Sequence, residues 1–307
     1  MAGPVARVSP GPPRPGVHPA LVIALAIVGV SWAAILVRWS HVSAYVLAFW
    51  RLSLSLLVIA VALTARREWP RLTRVKRGDL TLLGLAGVLL AFHFVTWFIS
   101  LEYTTVASST LLVNLHPLFA AGLSALWLRE RPSAGEWAGI VVAALGAAVV
   151  GGASLALGLG AQKGNALALL GGVLMAGYLV IGRRQRRVLG IWPYVAWVYA
   201  IAAMILVPFI AGRGESFIGY PAREWWIFAG LAAGPMLLGH TGFNWALRHV
   251  RAYIVSLAVL GEPIGASLLA WWLLGGREVP GPATVVGGVL ILLGVAISIY
   301  SRREASA

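Results

Sequence analysis

Apolar residues run along this chain in long blocks, separated by short stretches of arginine, glycine and proline. An α-helix needs about 20 mostly apolar residues to cross about 30 Å of hydrocarbon. Ten blocks qualify, at roughly residues 19–38, 44–65, 79–101, 105–128, 134–154, 163–182, 192–212, 224–247, 252–274 and 280–301. The links between them are short, and the longest, about 66–78 and 212–223, are too small to hold a folded domain. The pattern predicts an all-α integral membrane protein with ten transmembrane helices. Residues 1–18 are proline-rich, without apolar periodicity, and read as a disordered cytoplasmic tail; 302–307 reads as a second, shorter one. The first tail lacks the apolar core of a signal peptide, and the first block has a partner later in the chain, so that block is expected to be retained.

Composition supports the same reading. Of 307 residues, 60% are apolar and only 11% charged, against about 25% charged in soluble domains. Mean hydropathy is +0.86. So little charge cannot cover a water-soluble body of this size, and lipid must be the solvent for much of it. There is no cysteine, which excludes disulfides, thiolate zinc sites and Cys-ligated iron–sulfur clusters. The net charge of +14 would suggest nucleic acid in a soluble protein. Here the membrane explains it. With the N-terminus in the cytoplasm, eighteen Lys and Arg fall on cytoplasmic segments. Five fall on the other side (Arg38, Lys163, Arg213, Arg223 and Arg277), and Arg51 alone lies inside a block. This bias obeys the positive-inside rule. It predicts that both termini are cytoplasmic and leaves no call for a nucleic-acid partner.

The second half of the chain is a diverged copy of the first. Residues 101–128 align with 247–274 at a shift of 146, which sets His116-Pro117 on Glu262-Pro263 and Ala120 on Ala266. At a shift of 148, Glu130, Pro132, Gly139 and Gly146 fall on Glu278, Pro280, Gly287 and Gly294. Upstream, His93 falls on His240, and Tyr45-Val46 on Tyr194-Val195. The units are residues 19–154 and 163–301, with five helices each. Five is odd, so the second unit must insert upside down. Inverted repeats are the construction of many secondary transporters, because one fold can then open to either side.

With the stretches LHPLFAAGLSALWLRERPS, LGEPIGASLLAWWLLGGREVP, GVSWAAILVRW and FNWALRHVRAYIVS in view, the chain resembles the drug/metabolite transporter superfamily, in its ten-helix EamA branch. The resemblance covers about residues 19–301. It implies export or exchange of amino acids, related metabolites or drugs across a bacterial inner membrane. His116 stands where the second half has Glu262, so the two halves are not chemically equivalent.

The candidate site residues follow from depth and chemistry. Glu262 sits near the middle of its block, where a carboxylate costs about 2.5–3.5 kcal/mol on insertion scales. It should face a polar cavity, to bind a cationic part of the substrate or a coupling proton, or else be a buried acid paired with Arg51 or a histidine. Pro117 and Pro263 each remove a helical hydrogen bond and should kink or break their helices. His116 lies at the matching depth in the first half. His93 and His240 lie about two-thirds along the third and eighth blocks. For all three, a packing role competes with a substrate or proton role. Trp97 and Asn244 stand four residues after His93 and His240 and therefore share a face with them. Trp32, Asn114 and Tyr178 lie at interior depths and complete the substrate-binding candidates. Three readings stand for Arg51, that it snorkels outward, pairs with an acid or attracts a carboxylate, with a slight preference for the structural pair. Gly135, Gly139, Gly146, Gly287 and Gly294 are expected to serve close helix packing only.

No nucleotide-binding loop and no H-E-x-x-H spacing is present, so neither a cofactor nor a metal is expected. The expected partners are a small-molecule substrate, membrane lipid and, through Glu262, protons; oligomeric state is left open. Aromatic and neutral amino acids are the first substrates to test. The short loops hold arginines and few acids, with no catalytic constellation, so an enzyme is not expected. The alternative is an integral-membrane enzyme or sensor module.

Overall fold

A backbone in hydrocarbon finds no water to bond, so its N–H and C=O groups must be satisfied within the chain, and helices do this segment by segment. The computed structural model describes residues 17–128, 133–155, 158–186, 188–246 and 258–304, and every regular element among them is helical. Most of the first tail, the aligned Glu130 and Pro132, and residues 247–256 of the FNWALRHVRAYIVS stretch lie outside the described residues.

The first block forms α1 (Pro19–Ser31) and α2 (Ala33–Trp39), interrupted at Trp32. Then come α3 (Ala44–Ala65), the short surface helix α4 (Trp69–Thr73) and α5 (Arg77–Tyr103). The fourth block is split into α6 (Val106–Val113) and α7 (His116–Leu128). Single rods follow: α8 (Ala134–Leu155), α9 (Leu159–Gln185) and α10 (Ile191–Gly212). The eighth block is a composite of α11 (Ala222–Leu231), a π-helical segment (Ala232–Thr241) and α12 (Gly242–Ala246). The described part of the ninth contains α13 (Gly261–Leu274), and the last is α14 (Pro282–Glu304). The final helix therefore runs three residues beyond the predicted span. Eight helices among the described residues are long and apolar enough to cross a membrane, and the chain is a multi-pass membrane protein. Large apolar side chains such as Leu57, Val61, Leu145, Met204, Trp272 and Val289 point outward, as a surface bathed in lipid requires.

Packing brings particular helices together. α5 lies along α9, α3 along α10, and α8 along α14. α1 packs against the π-helical segment and α13, while α6 and α7 pack against α9. The α8–α14 contact is antiparallel and made by glycine. A Cβ on Gly139 would lie 2.5 Å from the carbonyl oxygen of Gly294, and one on Gly146 would lie 2.6 Å from that of Gly287. The same holds in reverse: a Cβ on Gly294 or Gly287 would strike Gly139 or Gly146. The expected packing role of these residues is therefore met by direct backbone-to-backbone approach.

The two ends of the bundle differ. At one end, Arg38 of α2 pairs with Glu278 between α13 and α14, and also donates to Thr104 O at 3.0 Å. The other carboxylate oxygen of Glu278 accepts from Val106 N at 2.8 Å. Nearby, Ser40 Oγ and His41 N donate to Glu224 at 2.6 and 3.2 Å. Ser43 donates to Glu215, and Arg223 to Trp39 O at 2.6 Å. Apart from Arg38 to Thr104, these bonds join residues of the first half to residues of the second. At the opposite end the ties include Gln185 to Asp79 at 3.0 Å and Trp197 to Leu72 O at 3.2 Å.

Candidate functional site

The break in the fourth block sets the site. Pro117 has no N–H for Val113 O, so the helix cannot run through. It stops at Asn114, whose Nδ2 bonds back to Thr110 O at 2.9 Å, and restarts where Leu118 N donates to Leu115 O at 2.9 Å. Pro117 then occupies the first turn of α7, where a missing N–H costs little. Pro263 holds the same place in the first turn of α13, just after the turn at Leu260. Both predicted helix breaks are therefore present, immediately before His116 and Glu262. Gly261 and Gly265 flank Glu262 and press α13 onto α1: a Cβ on either would fall within 3 Å of Ile27 or Ser31.

Glu262 faces Asn114 across the two halves, with Asn114 Nδ2 3.4 Å from Glu262 Oε2. Glu262 and His240 lie deep in the protein, each half-buried as a whole residue. Asn114 is 1% exposed and its Oδ1 has no partner among the described residues; the same is true of Nδ1 of buried His116. His93 Nδ1 meets Gly171 O at 2.8 Å. Its ring is stacked on Trp97, at 6.3 Å between centroids and 10° between planes, and Trp97 Nε1 is buried without a partner among the described residues. The histidine pair aligned in sequence meets around Phe94, at 5.1 Å from His93 and 6.0 Å from His240. Asn244 Nδ2 donates to His240 O at 2.8 Å, beside Tyr178, which stacks on Tyr194.

Trp32 packs on Trp39 at 6.2 Å, toward the end of α2. The expected ion pair of Arg51 is not formed: no carboxylate among the described residues lies within 4.0 Å of it. Arg51 is fully buried, so it does not snorkel either. Its guanidinium carbon stands 4.2 Å from the centroid of Phe94 and 5.9 Å from that of Phe98, and Nε donates to Met236 Sδ at 3.3 Å. An unpaired buried ion costs several kcal/mol, and a desolvated cation–π contact returns about 2 kcal/mol. Phe98 also lines a cavity of about 170 Å³ with Val37, Arg38, Leu47, Leu101 and Glu102 at the tied end of the bundle. Among the described residues no three His, Asp or Glu are grouped to hold a metal ion.

Sequence reasoning missed three features. The π-helical segment that carries Met236 and His240 was signalled only by Pro235. Glu278 and Glu224, read only as repeat positions or loop acids, are buried and join the halves. The unpaired state of Arg51 has no sequence signal, because it depends on which acids the fold brings near.

The sequence profile of the EamA-like transporter family matches residues 18–152 and again 162–300. A pseudopaline exporter of Pseudomonas aeruginosa is 28% identical over 225 residues, 71% of this chain and 75% of that protein. A protein of Streptantibioticus cattleyicolor named a probable terminal-alkyne amino-acid exporter is 26% identical over 83% of this chain and 86% of its own. An uncharacterized transporter of Bacillus subtilis is 25% identical over 85% and 88%. A crystal structure 22% identical in sequence superposes with a TM-score of 0.66, covering 94% of this chain and 99% of that one, so the fold is shared.

Proposed function

The chain belongs to the EamA-like transporter family, and from that premise we propose a secondary transporter that exports or exchanges amino acids or related small metabolites across a bacterial inner membrane. The observation that carries this reading is the convergence of unsatisfied polar atoms. Buried polar groups are nearly always bonded. Here Asn114 Oδ1, His116 Nδ1, Trp97 Nε1 and an Arg51 terminal nitrogen are not, among the described residues; Asn114 stands against Glu262, Trp97 against His93, and Arg51 and His116 within electrostatic reach of His93. A solute with several hydrogen-bonding groups would satisfy them. Two relatives bear the names of exporters, one of them of an amino acid, which favours that cargo class.

Alternating access is built on an inverted repeat in many secondary transporters, and the helix packing supports one here. Exchange the halves, and the α5–α9 contact becomes the contact between the π-helical segment and α1. The α6/α7–α9 contact becomes α13–α1, while α3–α10 and α8–α14 map onto themselves. Within α8–α14, Gly139–Gly294 and Gly146–Gly287 exchange, as the self-complementary contacts of a two-fold axis do. On this reading the chain crosses ten times with both termini cytoplasmic. The Arg38–Glu278 and Glu224 ties close the outer end, and the cavity ending at Phe98 is the vestibule beneath them.

Glu262 binds a cationic group of the substrate or a coupling proton. The purified protein in liposomes should catalyse counterflow of a labelled amino acid. Glu262→Gln should lower it about tenfold or more, the scale of a lost charge-assisted hydrogen bond. Unchanged counterflow and pH dependence in that variant would exclude Glu262 from the site, and product formation without solute movement would overturn the transport reading.

A further inference from the structure

Arg51 is the largest fully buried side chain among the described residues, and no ion pair there accounts for its charge. Its surroundings hold it still without neutralising it. The ring of Phe94 covers one face, Phe98 stands beside it, and Met236 of the second half takes its Nε proton. One terminal nitrogen is left buried with no partner among the described residues. Glu262 lies beyond ion-pair distance but close enough for the two charges to interact. The repeat does not need a cation here, since the aligned position in the second half is Ala200. A planar guanidinium fixed by aromatic rings with a terminal nitrogen unpaired is preorganised to donate to a carboxylate.

We propose that Arg51 is the carboxylate-binding residue for the transported solute, and that Glu262 across the site takes its ammonium group, so that the cargo is a zwitterion of the α-amino-acid type. The proposal rests on the transport reading above and sharpens it. The site offers one cation and one anion, too far apart to quench each other. A solute with one of each satisfies both and leaves the local charge unchanged. A simple amine or a simple acid would satisfy one and leave the other exposed. Tyr199, His93 and His240 lie within electrostatic reach of Arg51, and His116 within reach of His93. Phe98, which lines the cavity at the tied end of the bundle, has its ring centroid 5.9 Å from the guanidinium carbon.

The decisive measurement uses the wild-type protein in liposomes. Counterflow is measured with each of the proteinogenic L-amino acids, its amide and its decarboxylated amine. For every amino acid that moves, the amide and amine should move or compete at least tenfold more weakly. Arg51→Met should abolish the exchange, while Arg51→Lys keeps a reduced rate, each checked for monodispersity in detergent. Should Arg51→Met fail to fold, the wild-type analogue series still decides. An amide or amine that moves as well as its parent acid overturns the role of Arg51 and leaves a transporter in place. If nothing in the set moves, the amino-acid class and this proposal both fall.

Discussion

Trp97 exemplifies the residue scale, because its two functions separate. The ring packs on His93, and the indole N–H points to nothing among the described residues. Trp97→Phe keeps the stack and removes the donor. A hydrophobic swap of this kind should cost less than about 1.5 kcal/mol of stability. The loss of one hydrogen bond to a solute should weaken its apparent affinity by about 2- to 10-fold. A detergent melting curve beside a counterflow titration checks both; equal losses in the two would mean that Trp97 only packs. The sequence made Trp97 legible because spacing on a helix determines which residues share a face. Arg51 was misread for the converse reason. Its expected acid partner had to come from another element, and helical periodicity carries no information about that. Glu262 found Asn114 instead, a neighbour 148 positions away.

At the scale of elements, eight of the predicted blocks contain helices long and apolar enough to cross a membrane, but their interiors were subtler. The breaks before His116 and Glu262 were legible from proline, which cannot donate to the turn behind it. The interruption at Trp32 had no such signal, and the π-helical segment had only Pro235; the segment packs against α1, a tertiary contact. Where helices touch backbone to backbone, even a methyl group is too large. Gly139→Ala would drive its Cβ into the carbonyl of Gly294 and should cost about 1–3 kcal/mol. Gly151→Ala on the same helix meets nothing within 4 Å and should be neutral or slightly stabilising. Thermal unfolding in detergent compares the two. Equal melting temperatures would remove the α8–α14 seam as a determinant of stability.

For the whole molecule, the testable quantity is orientation. The chain has no cysteine, so single cysteines report cleanly. Ser216, exposed between α10 and α11, should react with a membrane-impermeant maleimide in intact spheroplasts after Ser216→Cys. The exposed Arg74 should react after Arg74→Cys only once the membrane is permeabilised. The reverse pattern would invert the topology and with it the assignment of the tied end as the outer one.

Block lengths, charge bias and the duplicated pattern were properties of the sequence alone, because each follows from the cost of placing a residue in lipid or water. That cost is local and can be summed along the chain. The central constellation was a property of tertiary structure. Whether Arg51 finds an acid, whether Asn114 and Trp97 are satisfied, and which end is tied by Glu224 and Glu278 all depend on distances between helices remote in sequence. Those distances are set by packing, down to the absence of a methyl group at Gly139 and Gly265.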